Sequence, residues 1–164
     1  MAVNTAKFSL SLIVAEQLTA NVALAAAAQA VITHTLQASG TLTSSTTVPV
    51  TKVSAQEIAL IAGAKTLDLT ALLGANGAAV DATGLKLQLL YIKNKDANAN
   101  SMAFTFGASN GWVGLGSGWK FTLAPKNECL FKLDDASTDV ASNAKNIDVT
   151  GTVTQAFQYI AVFG

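Results

Sequence analysis

Apolar and polar residues alternate singly along most of this chain, a period that suits half-buried β-strands and excludes long amphipathic helices. Phe8, Leu10 and Leu12 alternate with Lys7, Ser9 and Ser11, and Leu85, Leu87 and Leu89 with Lys86 and Gln88 before Tyr91-Ile92. Met102, Phe104 and Phe106 form a third run, and Trp119, Phe121 and Leu123 a fourth. Leu130–Leu133 and Ile147–Val149 are shorter. The last run sets Phe157, Tyr159, Ala161 and Phe163 on one face, with Ile160 and Val162 on the other. A strand apolar on both faces is expected at the centre of a sheet. Turn-forming residues separate the runs at Asn76-Gly77, Asp81–Gly84, Asp96–Asn100, Asn110-Gly111 and Pro125–Asn127. Short strands at this spacing predict an all-β fold, a β-sandwich of jelly-roll-like type.

Two segments are ambiguous. Val22–Ala30 is rich in alanine and has high helix propensity, but it is short and flanked by strand-like sequence, so a strand or extended arm is expected. Ser54, three residues before Glu57, resembles a helix start and leaves open a helical turn or a strand edge. Residues 1–64 are Ala/Thr/Ser-rich and hold a single aromatic, Phe8. Residues 65–164 carry the other aromatics, which supply large buried areas. The expectation is one domain, residues 1–164: an aromatic-rich core sandwich over 65–164, with 1–64 as an N-terminal arm or extra strands packed on it or on a neighbour.

Charge narrows the function. Charged residues are 12% of the chain, ten basic balance ten acidic, and every basic residue is lysine. A weakly charged, net-neutral chain tends to associate. Without arginine or a lysine cluster, nucleic acid is not an expected partner. The single cysteine, Cys129, excludes an intrachain disulfide and reads as a buried, inert thiol. The first residues lack the pattern of a signal peptide. Residues 17–51 hold no charge apart from His34, but their most apolar part, Val22–Ile32, is half the length of a spanning helix. Burial in a subunit interface, with no membrane partner, explains that stretch.

The chemistry-bearing residues do not assemble into a catalytic set. His34 is the only histidine, which excludes sites with two imidazoles, and no nucleophile elbow accompanies it. Asp134, Asp135 and Asp139 lack the spacing of a calcium loop and read as a solvated turn. Gly114, Gly116 and Gly118 lack the strand–turn–helix context of a dinucleotide site. No cofactor or metal is implied. Trp112 and Trp119 flank this glycine loop and have three readings: core, subunit interface, or a stacking platform for sugars.

From Lys65 onward the chain resembles β-sandwich structural proteins of tailed bacteriophages, of the head-decoration, cement or fibre-base kind. The residues that carry the resemblance are Thr66–Thr70, Ala82–Asn94, Phe121–Pro125 and Asn146–Gly151. It implies a non-enzymatic virion component, made in a bacterial cytoplasm, forming a homo-oligomer or packing on other virion subunits. The interface candidates are Val31, Leu36, Leu42, Val48 and Val50 in the uncharged stretch, with Trp112 and Trp119. The alternative is a carbohydrate-binding or adhesin-like module in which Trp112, Trp119 and Tyr91 meet a glycan.

Overall fold

The computed structural model describes residues 5–17, 31–74, 76–95 and 97–164. These form twelve β-strands in four sheets, with no helix among the described residues. The chain divides into two compact units, one of Lys7–Thr41 and one built mainly of Leu42–Gly164. Residues 42–64 therefore fold with the aromatic-rich part, and the separate segment is shorter than the 64-residue zone that composition suggests.

The smaller unit contains a two-stranded sheet of β1 (Ala6–Gln17) and β2 (Val31–Leu42). The start of β1 lies beside the end of β2. A Cβ on Gly40 would come within 2.8 Å of the Phe8 ring, so glycine leaves room for that ring beside the neighbouring strand. Val22–Ala30 lies outside the described residues.

The larger unit holds two four-stranded antiparallel sheets. The first has the order β10 (Glu128–Lys132), β7 (Leu87–Asn94), β12 (Ala156–Phe163), β3 (Lys52–Ala59). The second has the order β4 (Ala64–Asp68), β11 (Asn146–Thr150), β8 (Met102–Phe106), β9 (Lys120–Leu123). A short hairpin, β5 (Leu72–Leu73) with β6 (Ala79–Val80), completes the set. The doubly apolar last strand is central, between β7 and β3. Ser54–Leu60 is not a helical turn: Ser54 and Glu57 lie in β3. Ser54 Oγ is 2.6 Å from the Leu73 carbonyl and 2.7 Å from the Tyr159 hydroxyl, so the would-be cap ties a strand to the hairpin.

Both four-stranded sheets feed one apolar core. Leu90, Ile92, Phe157, Tyr159 and Phe163 from the first sheet join Leu67, Met102, Phe104, Ile147 and Val149 from the second. Rings run through it in sequence: Trp119 stacks on Phe121 at 5.7 Å, Phe121 on Phe104 at 5.2 Å, and Phe104 meets Phe157 edge-on at 5.5 Å. Such contacts add about 0.5–1.5 kcal/mol each beyond the area they bury. A polar network closes one end. Buried Asn94 donates to the carbonyls of Asn100 and Leu123 at 3.1 and 3.0 Å, and Asn98 exchanges bonds with the backbone of Ala156. The loop after β7 is thereby pinned to the start of β12.

Candidate functional site

The sequence candidates separate by burial. Trp112 is 0% exposed; its Nε1 donates to the Thr138 carbonyl at 3.2 Å. Trp119 is buried too, donates from Nε1 to the Trp112 carbonyl at 2.7 Å and meets the Trp112 ring edge-on. Neither indole has a free face for a subunit or a sugar, which corrects their assignment to an interface and settles them in the core. The glycine loop gave the opposite impression because its glycines suggest exposure. Gly114 is instead the place where the Trp112 ring crosses the backbone, and a Cβ there would lie 2.0 Å from Cζ2.

Val50 and Leu42 are likewise buried, so their side chains are not open to a partner. Val48 is half-buried, and its carbonyl accepts from the Thr46 hydroxyl at 2.6 Å. Val31 opens β2, but its side chain, like that of His34, lies outside the described residues. Leu36 alone of these candidates is both described and well exposed.

Leu36 has company that sequence reading did not single out as a surface. Leu10, Leu12, Ile13 and Val14 on β1 are exposed with it, all five between 46% and 62%. Alternation places Leu10, Leu12 and Val14 on one side of β1 and Ile13 on the other, so both sides of the strand carry apolar residues. Lys7 and Glu16 are the only charges in either strand if His34 is neutral.

A second apolar surface lies on the first four-stranded sheet. Its registers set Ala55, Ile160, Tyr91 and Leu130 side by side on the face away from the core. Ile160 is 44% and Leu130 42% exposed. The row on one side is polar, with Glu57, Gln158, Lys93 and Glu128. Here Glu57 accepts from Lys95 at 2.5 Å and Gln158 at 3.0 Å, and Tyr91 donates to Glu128 at 2.6 Å. The row on the other side is Val53, Val162, Leu89 and Lys132, with Val162 and Leu89 already buried. The outer face of the second sheet contrasts with this one. Its registers align Thr66, Asp148, Thr105 and Lys120, then Ala64, Thr150, Ala103 and Thr122. Asp148 accepts from the Thr66 hydroxyl at 2.6 Å and the Ala108 amide at 2.8 Å.

A groove of about 450 Å³ lies beside β3 and β4, lined by Ile58, Leu67, Leu72, Tyr159, Glu57 and Lys65 among others. The Tyr159 hydroxyl there is held by Ser54, and burial pushes its pKa up. No three described His, Cys, Asp or Glu side chains gather in a metal-binding group. Asp139 pairs with Lys86 at 2.6 Å, and Asp134 accepts from the Asp135 amide at 2.7 Å. Burial pushes the Cys129 thiol up to about 11, so little of the nucleophilic thiolate exists near neutral pH. No helix is long and apolar enough to cross a membrane among the described residues.

No family model matches this chain, and neither a curated protein nor a solved structure does.

Proposed function

We propose that this chain is a non-enzymatic structural protein of the virion kind. Its two four-stranded sheets are the layers of a jelly-roll-like β-sandwich, and it packs by apolar surface into a lattice of its own copies or of other virion subunits. The observation that carries this reading is the β1–β2 ribbon with its five exposed aliphatic side chains. A two-stranded sheet is marginally stable in water unless something covers a face. Covering those side chains gains roughly 1 kcal/mol each at half exposure. A surface of this kind is favourable in an assembly and a liability in a solitary protein. The near absence of charge in both strands supports the same reading, since between Lys7 and Glu16 no side chain of β1 carries a charge that must stay hydrated. The glycan alternative draws no support from the tryptophans, whose rings are buried.

The test is a pair of charges on the ribbon, Leu12→Asp with Leu36→Asp. Both positions are exposed, so thermal unfolding of the larger unit should stay within about 0.5 kcal/mol of the parent. Assembly, read by sedimentation velocity, should be lost or weakened at least tenfold. A variant that assembles like the parent would remove the ribbon from the interface.

A further inference from the structure

The edge strand β10 offers a surface that the ribbon does not explain. Strand β10 ends the first sheet, and the Asn94 amide donates to the Asn127 carbonyl at 2.9 Å while the Leu133 amide donates to the Gln88 carbonyl at 2.8 Å. Odd-numbered residues of this segment therefore bond inward to β7. The N–H and C=O groups of Glu128, Leu130 and Lys132 face out of the sheet edge. The opposite edge is managed differently: beside β3, Ser54 and Gln56 bond the carbonyls of Leu73 and Gly74 at 2.6 and 3.0 Å, holding the β5–β6 hairpin there. On β4, Lys65 shares a face with core-facing Val149 at a short edge strand, a device that discourages pairing. Among the described residues, no other strand pairs with the outer edge of β10.

The side chains of β10 are self-complementary. Glu128, Leu130 and Lys132 stand on the outer face, spaced evenly about Leu130. We propose that β10 pairs antiparallel with β10 of a second copy across a two-fold axis at Leu130, joining the two first sheets into one continuous sheet. In that register Leu130 meets Leu130 of the other copy. Glu128 of each copy meets Lys132 of the other, and each pair exchanges both of its outward hydrogen bonds. A two-fold centred one residue away would set Glu128 against Leu130 and leave Lys132 without a partner. The apolar row Ala55–Ile160–Tyr91–Leu130 then runs unbroken into its symmetry mate, doubling the stripe on that face. The inference rests on reading the chain as an assembling protein, but it names a different surface from the ribbon.

The experiment is sedimentation equilibrium of the full chain over a dilution series, with four variants. Lys132→Glu opposes like charges in both symmetry-related pairs and should weaken the dimer about tenfold. Glu128→Lys should do the same, and the double exchange E128K/K132E should restore most of the loss. Leu130→Pro removes an amide that bonds nothing inside the sheet, so it should abolish the dimer while the near-UV signal of the Trp112–Trp119 pair survives. A dimer indifferent to Lys132→Glu and Leu130→Pro overturns the β10 contact while leaving the assembly reading in place. A parent that never dimerises overturns it as well. Loss in the single variants without recovery in the double exchange overturns the proposed register.

Discussion

Trp112 shows what a single residue can hide. Its neighbours Gly111 and Gly114 suggest a loose surface loop, yet the ring is fully buried and Gly114 is what admits it. The readable signal was the pairing of a large ring with a glycine two residues on, which fits close approach as well as it fits a turn. Gly114→Ala should accordingly force the indole from its slot and cost about 2–3 kcal/mol, measured as a lower urea midpoint with altered near-UV dichroism. Unchanged stability would mean that the ring is not packed across that backbone. Cys129 was easier to read, because a lone thiol in an apolar run points to packing; it is half-buried rather than buried, and that burial keeps it protonated. Lys126 was harder: it follows Pro125 with φ +67° in a turn closed by an Asn127 N–H to Ala124 carbonyl bond of 3.1 Å. Proline then positive φ defines a type II turn, whose third place normally takes glycine or asparagine.

At the scale of elements, the alternating runs became strands with shifts of a residue or two at their ends, except that β1 runs five residues past Leu12. Met102–Phe106 matches β8, and the run from Phe157 lies within β12, central as its two apolar faces require. Alternation states that one face of a strand is buried, but not what buries it. That is why the alternation of Leu10 and Leu12 suits a half-buried strand in the sequence while both stand exposed in the fold. The stripe on the first sheet was only half legible for a related reason. Ile160 and Val162 announce an apolar outer face, but their alignment with Tyr91 and Leu130 needs a register that links strands far apart in the chain. Ser54 and Glu57 mimic a helix start, but in the paired β3 the same side chains bond Tyr159 and Gln158 of β12.

The β4–β11 connection supplies a pH test. Burial alone pushes the Asp68 carboxyl up, but bonds from Lys145 at 2.6 Å and from the Thr70 hydroxyl and amide at 2.7 and 2.9 Å outweigh it and hold its pKa below the ordinary 3.8. A depressed folded-state pKa means that the stabilisation is complete above the unfolded value and is lost as pH falls through the lower, folded one. Asp68→Asn should cost about 0.5–1 kcal/mol near neutrality, as for a partly exposed ion pair. Its stability should also fall less than the parent's between about pH 5 and pH 2. Parallel acid limbs for the two proteins would show that Asp68 does not contribute in this way.

For the whole molecule, the arrangement joins a well-packed aromatic core to surfaces of opposite character. One sheet turns threonines and Asp148 outward, while the other shows Ile160 and Leu130, and the ribbon is apolar on both sides of β1. Low charge and zero formal net charge leave little repulsion to keep copies apart. Composition suggests association, but it places the contact partly on residues that the fold buries, because hydrophobic content does not distinguish a core from an interface. The most direct measurement is the mass of the unmodified chain by light scattering across a dilution series from about 1 to 500 μM, a range that spans ordinary reversible interfaces. The account predicts a closed oligomer or larger assembly that dissociates on dilution. A single monomer mass at every concentration would contradict self-association and leave only packing on other subunits.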